Sequence, residues 1–491
     1  MGFEKRSLMP SFRVFSEDAI DAIHSASLEV LEKTGVRIHH GKSILKMLKG
    51  NGCTVDFEKG VVKFPSYVVE EAVKKTPKTF SEYGRNPKYD YKLDGRHVYF
   101  ITDTETTSTV DLKTGEWRPS TMDDLEKLTR VTDALDSYAS GGHLTTALDK
   151  PNNVRCLYDY AAALNNTEKP CGWSVYPPEL ASQLTDYQLE IATVVAGSEK
   201  KLKERPLGCS GFCTESPLKF EGRYVEIALK LAKLGFPCWI ASFPLGGATA
   251  PITLAGSLVM TNAEILSSVC TVQLAAPGTS TSVFYLMGNL DMKTGLLGQG
   301  PEESLLYAGA VEVARYYGFR VTVIGFNTAS KMSGAQASYE KTMSTLIPVL
   351  AGADVVYGGG NLKGGMAASF EELIIDDEIC RAVLKAVEGI EVNDEKLAVD
   401  VINKVGSTGH FLAEKHTLKH FKNVLFFPEL TDRQSYDAWK KTGGKSMIKR
   451  AREKAEQILK DHWPTPLDKD AQKEISEIIS RAEKELPKST L

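Results

Sequence analysis

The sequence predicts an α/β chain whose central unit is a (β/α)8 TIM barrel. Three observations predict it. Eight short apolar, β-branched or aromatic runs occur at 98–103, 137–143, 171–175, 207–212, 238–243, 279–285, 321–325 and 354–357. Helical apolar spacing fills the gaps between them, at 122–135, 154–164, 179–195, 221–234, 254–274, 302–317 and 336–350. The strands recur at intervals of roughly 30–40 residues, the length of a strand–helix unit, and eight such units close a barrel more readily than they extend a doubly wound sheet.

Elements before the barrel form an α+β cap, expected over 1–95. Residues 18–33 have helical apolar spacing and stop at Gly35, a residue suited to the left-handed end of a helix. A second helix at 42–48, strands around 53–55 and 61–64, and a helix at 65–75 complete the cap. The barrel is expected over 96–385. A helical extension over 386–491 follows, with charged helices at 391–404 and 446–460 and a turn at Asp432-Arg433-Gln434-Ser435, where Asp and Ser bond their own backbone. The run KRAREKAEQILKD reads as a solvated helix face.

The chain has 491 residues, 42% hydrophobic and 25% charged, enough apolar side chain for a large core. A net charge of -4 leaves no polybasic surface, so nucleic acid is not an expected partner. The start, MGFEKRSLMPSF, lacks the apolar run of a signal peptide, and no uninterrupted apolar stretch of membrane-spanning length is read. Eight cysteines are scattered, often inside apolar runs as at Cys238 and Cys270, so cytoplasmic localisation in a reducing compartment is expected.

A TIM barrel places its chemistry at the C-terminal strand ends. Those ends are rich in rings: Trp173 and Tyr176, Phe212, Phe243, Phe284 and Tyr285, Phe326, and Tyr357. Ring faces stabilise a quaternary ammonium, which has no N–H to donate, by ~0.5–2 kcal/mol each when water is excluded. Individually each ring is better explained by core packing. Gly358-Gly359-Gly360 matches no phosphate-loop fingerprint, although such glycines admit close backbone approach. His143 stands at a strand end as a general acid–base candidate, and Lys331 is placed where a barrel aldolase could carry a Schiff-base lysine. His416 and His420 are four apart without the glutamate of a zinc helix motif, so no metal site is expected.

Several stretches together resemble the trimethylamine:corrinoid methyltransferase superfamily along nearly the whole chain: HSASLEVLEKTGVRI, GGATAPITLAGSLVMTNAEIL, LDMKTG, SKMSGAQASYEKTMSTLIPVLAGADVVYG and ASFEELIIDDEI. The resemblance implies a (β/α)8 barrel that passes a methyl group from an amine to the Co(I) corrinoid (cobalamin) of a separate small corrinoid-binding protein. No tightly bound cofactor on this chain is then expected. Within GFNTASKMSG, Asn327 stands where the resemblance places the family's pyrrolysine, and an amide forms no covalent adduct with an amine. A quaternary amine needs none, because its leaving group is a neutral tertiary amine. The expectation is therefore a non-pyrrolysine member resembling glycine betaine methyltransferases. Asn327 is the expected catalytic position; Tyr357, Phe326, Phe243 and Trp173 would enclose the trimethylammonium head. His143, Lys331, Lys363 or the amides around Gly359 would receive the carboxylate. Carnitine, proline betaine and γ-butyrobetaine are alternative substrates; a quaternary-amine sensor and a lysine-dependent lyase are alternative functions. A homo-oligomer is expected from the outer helices.

Overall fold

The structure, a computed structural model, describes residues 11–487 and the two-residue strand Phe3–Glu4. The remaining terminal positions of the expected cap and extension, including most of MGFEKRSLMPSF, lie outside the described residues.

Among the described residues, seven parallel strands form the barrel wall. Their order is Tyr138–Ser140, His97–Thr102, Val355–Gly359, Arg320–Ile324, Thr281–Tyr285, Cys238–Ser242 and Ser210–Cys213. Consecutive units neighbour one another around the wall, and the first and last strands pair, as closure of a (β/α)8 barrel requires. Opposed residues share a face: Ile101, Tyr357 and Ile324 stand side by side, as do Tyr99, Val355 and Thr322. The alternate set, including Val98, Phe100, Val283, Val321 and Val356, packs on the helices in the main core. A separate cluster of Tyr99, Ala139, Trp239 and Val355 fills the barrel and is closed by Phe80, Tyr91 and Leu93 of the hairpin Phe80–Glu82/Tyr91–Leu93.

One expected strand does not form. Residues 171–175 join no ladder. Pro170, Pro177 and Pro178 bracket them and supply no N–H. Other bonds replace the ladder: Gly141 N donates to Pro170 O at 3.0 Å, and the Trp173 indole Nε1 donates to Cys209 O at 2.7 Å. The wall is therefore loose between Tyr138–Ser140 and Ser210–Cys213.

The N-terminal elements share a sheet and a core with the barrel. Val36–His39 pairs with Lys219–Glu221, a strand from the barrel loop that follows Ser210–Cys213. Helix Glu17–Lys33 packs on the long helix Leu254–Ala275, and both belong to one core. Leu254–Ala275 is, among the described residues, the one helix long and apolar enough by composition to cross a membrane. It is instead a largely buried helix of the barrel layer. Its Glu264 carboxylate accepts from Thr214 Oγ1 (2.6 Å), Ser216 Oγ (2.9 Å), Leu218 N (2.7 Å) and Ser242 Oγ (2.6 Å). Four donors on one buried carboxylate fix the loop that follows Ser210–Cys213.

After the last barrel helix, Phe370–Val387, the expected helix at 391–404 is broken into Asp394–Leu397 and Val399–Val405 at Ala398, whose φ of 53° is left-handed. Met447–Asp461 packs on Phe370–Val387, and Lys469–Glu485, not expected from the sequence, packs on Ala181–Ala196. The Arg130 guanidinium lies 4.0 Å over the Trp463 ring, and His462 meets Asp133 at 2.8 Å, so the tail is pinned to the barrel.

Candidate functional site

Chemistry gathers at the C-terminal ends of His97–Thr102, Tyr138–Ser140 and Val355–Gly359. Strand His97–Thr102 runs into Asp103-Thr104-Glu105, which turns across the mouth with Glu105 at a left-handed φ of 59°. The turn is held by Glu105 N donating to His143 O at 3.0 Å and Thr106 N donating to Leu144 O at 3.0 Å. The Tyr357 hydroxyl donates to Asp103 Oδ1 and accepts from Thr104 N at 3.2 Å. Burial pushes both groups up, Tyr357 well above the usual phenol range with the Asp103 charge adding to it.

His143 Nε2 lies 3.3 Å from Glu105 Oε1 and 3.5 Å from Ser174 Oγ. Burial alone would lower the imidazole, but the hydrogen bond and charge of Glu105 outweigh it and hold His143 above its ordinary value. Burial would likewise raise Glu105, but the His143 bond and charge hold it below the carboxylate range. The two are an ion pair over the interval between those values. Behind them the Asp159 carboxylate accepts from Thr146 Oγ1 (2.6 Å), Ala147 N (3.0 Å) and Tyr176 Oη (3.1 Å).

Beside Glu105, where the third strand is missing, a cleft of about 440 Å³ opens into the barrel wall. Rings of Trp173, Tyr176, Phe212, Tyr224 and Trp239 line it, with the carboxylates of Glu105, Glu215 and Glu221. Among the described residues no lysine or arginine lines it. Glu221 is paired with Arg223 at 2.8 Å and Glu105 with His143 at 3.3 Å, so the ring faces and Glu215 are what the lining offers a cation.

The residues singled out by sequence are not all brought here. Trp173 lines the cleft, with its ring packed between Tyr160 and Phe236 at 5.6 Å each. His143 stands behind Glu105, and Tyr357 joins through Thr104. Phe243 is 43% exposed at its strand end. Phe326 is fully buried, edge-on to Phe100 at 5.9 Å, in the strand–helix core. Asn327 turns toward the helices: its Nδ2 donates to Tyr307 Oη at 3.2 Å and its N donates to Ser344 Oγ at 3.1 Å. It lines a separate crevice of about 20 Å³, the size of one water, with Gln299, Glu303 and Glu340. Lys331 is exposed, and Lys363 is half-buried in a loop tied by its N donating to Ser330 O at 2.9 Å. A Cβ on Gly359 would meet the Tyr138 ring at 2.5 Å, so packing against Tyr138 demands that glycine. The Gly360 amide already donates to Asp376 Oδ2 at 2.8 Å.

Sequence reasoning gave Ser174, Tyr224 and Trp239 no role, and Glu105 none beyond its place at a strand end. Glu105 had a usable signal, as a carboxylate two residues beyond a strand end. Trp239 had another, as the inward alternate residue of Cys238–Ser242.

A parallel α/β barrel with carboxylates, tyrosines and an imidazole collected at the C-terminal strand ends is the architecture of a barrel enzyme. The family description "Trimethylamine methyltransferase (MTTB)" matches residues 4–487, and the chain belongs to this family. It is thus a methyltransferase. The trimethylamine methyltransferase MttB of Desulfitobacterium hafniense (strain DCB-2) is 36% identical over 472 residues, 96% of this chain and 94% of that protein. Its namesake from Methanosarcina barkeri is 32% identical over 479 residues, covering 96% and 95%. The glycine betaine methyltransferase of Desulfitobacterium hafniense (strain Y51) is 30% identical over 482 residues, covering 98% and 99%. Among solved structures, the monomethylamine methyltransferase (MtmB) of Methanosarcina barkeri has a TM-score of 0.49 at 11% identity, covering 92% of this chain and 88% of that one.

Proposed function

We propose that this methyltransferase takes its methyl group from a quaternary amine, glycine betaine being the leading substrate, and delivers it to a Co(I) corrinoid carried by a partner protein. The observation that carries this reading is the cleft beside Glu105, lined by rings and carboxylates and by no lysine or arginine among the described residues. Asn327 lines a separate crevice and supports the reading from the sequence alone: an asparagine at the position that resembles the pyrrolysine site forms no adduct, which suits an amine that arrives already activated. The relationship to a glycine betaine methyltransferase supports it further.

The Co(I) corrinoid is the co-substrate and supplies the electron pair that forms the new bond to methyl carbon. The C–N pair stays on nitrogen, and dimethylglycine leaves as a neutral amine needing no proton. The chain's own part is positioning. The rings of Tyr176, Tyr224 and Trp239 would surround the trimethylammonium head, and Glu105 would balance its charge. The substrate carboxylate would stay toward the open side of the cleft, away from Glu105. Asp103 and Tyr357 would hold the Thr104–Glu105 turn in place. A cleft of about 440 Å³ is larger than glycine betaine requires, which favours carnitine, proline betaine or γ-butyrobetaine as a second reading. Lys331 lies exposed and outside the cleft, and offers no support for a Schiff-base lyase.

The test is to mix purified protein, a Co(I) corrinoid protein and each betaine, following corrinoid absorbance and the demethylated amine. Methylation from one or more betaines, and none from trimethylamine, is expected. Turnover of trimethylamine without turnover of any quaternary amine would overturn the proposal.

A pH dependence follows from the Glu105–His143 pair. Protonated His143 cancels the Glu105 charge, and its pKa is raised above the ordinary 6.5. Quaternary-amine binding should therefore tighten as pH rises through that value, by roughly three- to tenfold. Calorimetry between pH 6 and 9 checks this, and Glu105→Gln should abolish the dependence.

A further inference from the structure

A substrate carboxylate brought into a cleft lined by Glu105, Glu215 and Glu221 needs a counter-cation, yet among the described residues no lysine or arginine lines it. The rim supplies one. Arg223 lies between the lining residues Glu221 and Tyr224, at the start of helix Gly222–Lys233. Glu179 follows the lining residue Tyr176 on the segment that includes 171–175. Arg223 Nη1 donates to Glu179 Oε1 at 3.3 Å, so one ion pair joins the two segments.

The two carboxylates hold the guanidinium unequally. Glu221 takes one edge with both oxygens: Arg223 Nε donates to Oε1 at 2.8 Å and Nη2 donates to Oε2 at 3.2 Å. Glu221 is itself fixed. Its side chain is 11% exposed, its Oε1 accepts from Arg223 N at 3.2 Å, and its Oε2 lies 3.1 Å from His40 Nδ1. The Arg223 bond holds Glu221 down to about 2, so the fork keeps both charges at neutral pH. Glu179 takes only Nη1, through one oxygen, and its side chain is 62% exposed. An ion pair so open to water is worth little, and an incoming carboxylate exchanges with Glu179 at small cost. Tyr224 lines the cleft within reach of all three charges: burial first, then Glu179 and Glu221, push its phenol up to about 12, against Arg223.

We infer that Arg223 receives the substrate carboxylate in exchange for Glu179, and that it selects amines with an anionic tail over bare quaternary ammonium ions. The assignment rests on the proposed reading of the cleft as the amine site. Glu221 is the positioning residue: it fixes one edge of the guanidinium and leaves Nη1 turned to the rim. The exchange conserves charge. One carboxylate leaves Arg223 as another arrives, so no proton has to move.

The experiment is calorimetric binding of glycine betaine, γ-butyrobetaine and tetramethylammonium to the full chain, with no corrinoid present. The wild type is expected to bind at least one betaine about tenfold tighter than tetramethylammonium, or more. Arg223→Gln should weaken the better betaine about tenfold or more and leave tetramethylammonium within about twofold. Glu179→Gln should act in the opposite direction, tightening that betaine about two- to fivefold, because it removes the competitor. Arg223→Lys keeps the charge without the fork and should recover part of the loss. A purely structural latch would move the Arg223→Gln and Glu179→Gln variants the same way, since either change breaks the same pair. Glu179→Gln, at an exposed position, keeps the test open should Arg223→Gln unfold. Betaines that bind no tighter than tetramethylammonium, or the same direction of change in both variants, overturn the inference and leave the cleft as an amine site. No binding of any of the three ligands, or binding unaltered by Trp239→Ala, overturns the amine reading and this assignment with it.

Discussion

Lys341→Met is expected to destabilise the protein by about 3–5 kcal/mol, the cost of stripping the counter-charge from buried carboxylates. Lys341 Nζ lies 2.6 Å from Glu372 Oε2 and 2.8 Å from Asp376 Oδ2, and all three side chains are at most 1% exposed. Glu372 and Asp376 stand one turn apart on Phe370–Val387, facing Lys341 on Ala335–Ala351. Burial pushes Asp376 up to about 7, against the Lys341 charge and with the Glu372 charge adding to the rise. The sign of the pH dependence follows. An Asp whose folded pKa is raised binds more protons folded than unfolded, so its contribution to stability falls as pH rises from about 3.9 through its folded value. Removing Lys341 raises that value further. The variant's deficit should therefore be larger at pH 8 than at pH 5, measured by urea unfolding. Adding Asp376→Asn should recover part of the loss, because the two changes share one interaction. A deficit under 1 kcal/mol at pH 8 would show that the three charges do not act together.

Glu105→Gln is expected to raise KM for the quaternary amine ten- to hundredfold while leaving kcat within a few-fold. At about 5 Å and an effective dielectric of about 20, a carboxylate attracts a cation by roughly 3 kcal/mol, and partial neutralisation by His143 reduces this. The attraction acts on substrate and transition state alike, which places the loss in KM. Without Glu105 the His143 imidazole should also fall back toward or below its ordinary pKa, because burial then acts on it unopposed. Proton NMR of the imidazole, with kinetics on the same preparation, checks both. An unchanged KM alongside a shifted His143 would place the cation head elsewhere on the barrel.

The barrel was largely legible because strands and helices announce themselves by local periodicity. Seven of the eight expected strands form, each within a few residues of its apolar run. The exception at 171–175 has an apolar run like the others, but its flanking prolines cannot complete a ladder. The break at Ala398 escaped for a similar reason, since a left-handed alanine leaves no trace in hydrophobic spacing. The site was legible only in part. Ring-bearing strand ends drew attention to Trp173 and Tyr357, but direction was invisible. Phe326 and Asn327 follow Arg320–Ile324 directly, yet their side chains enter the helix layer.

What the sequence determined by itself is the order of strand–helix units, hence the barrel and the end at which it places its chemistry, together with the identity of residue 327, an amide that forms no adduct. Tertiary structure decided where the cleft lies. Its lining comes from Glu105, from 173–176, from 209–215, from Tyr224 and from Trp239, segments that meet only because one wall of the barrel fails to zip. Hydrophobic period encodes which face a residue presents. A gap in a hydrogen-bond ladder, and the pairing of Glu105 with His143 across it, are set by long-range closure and leave no period to read.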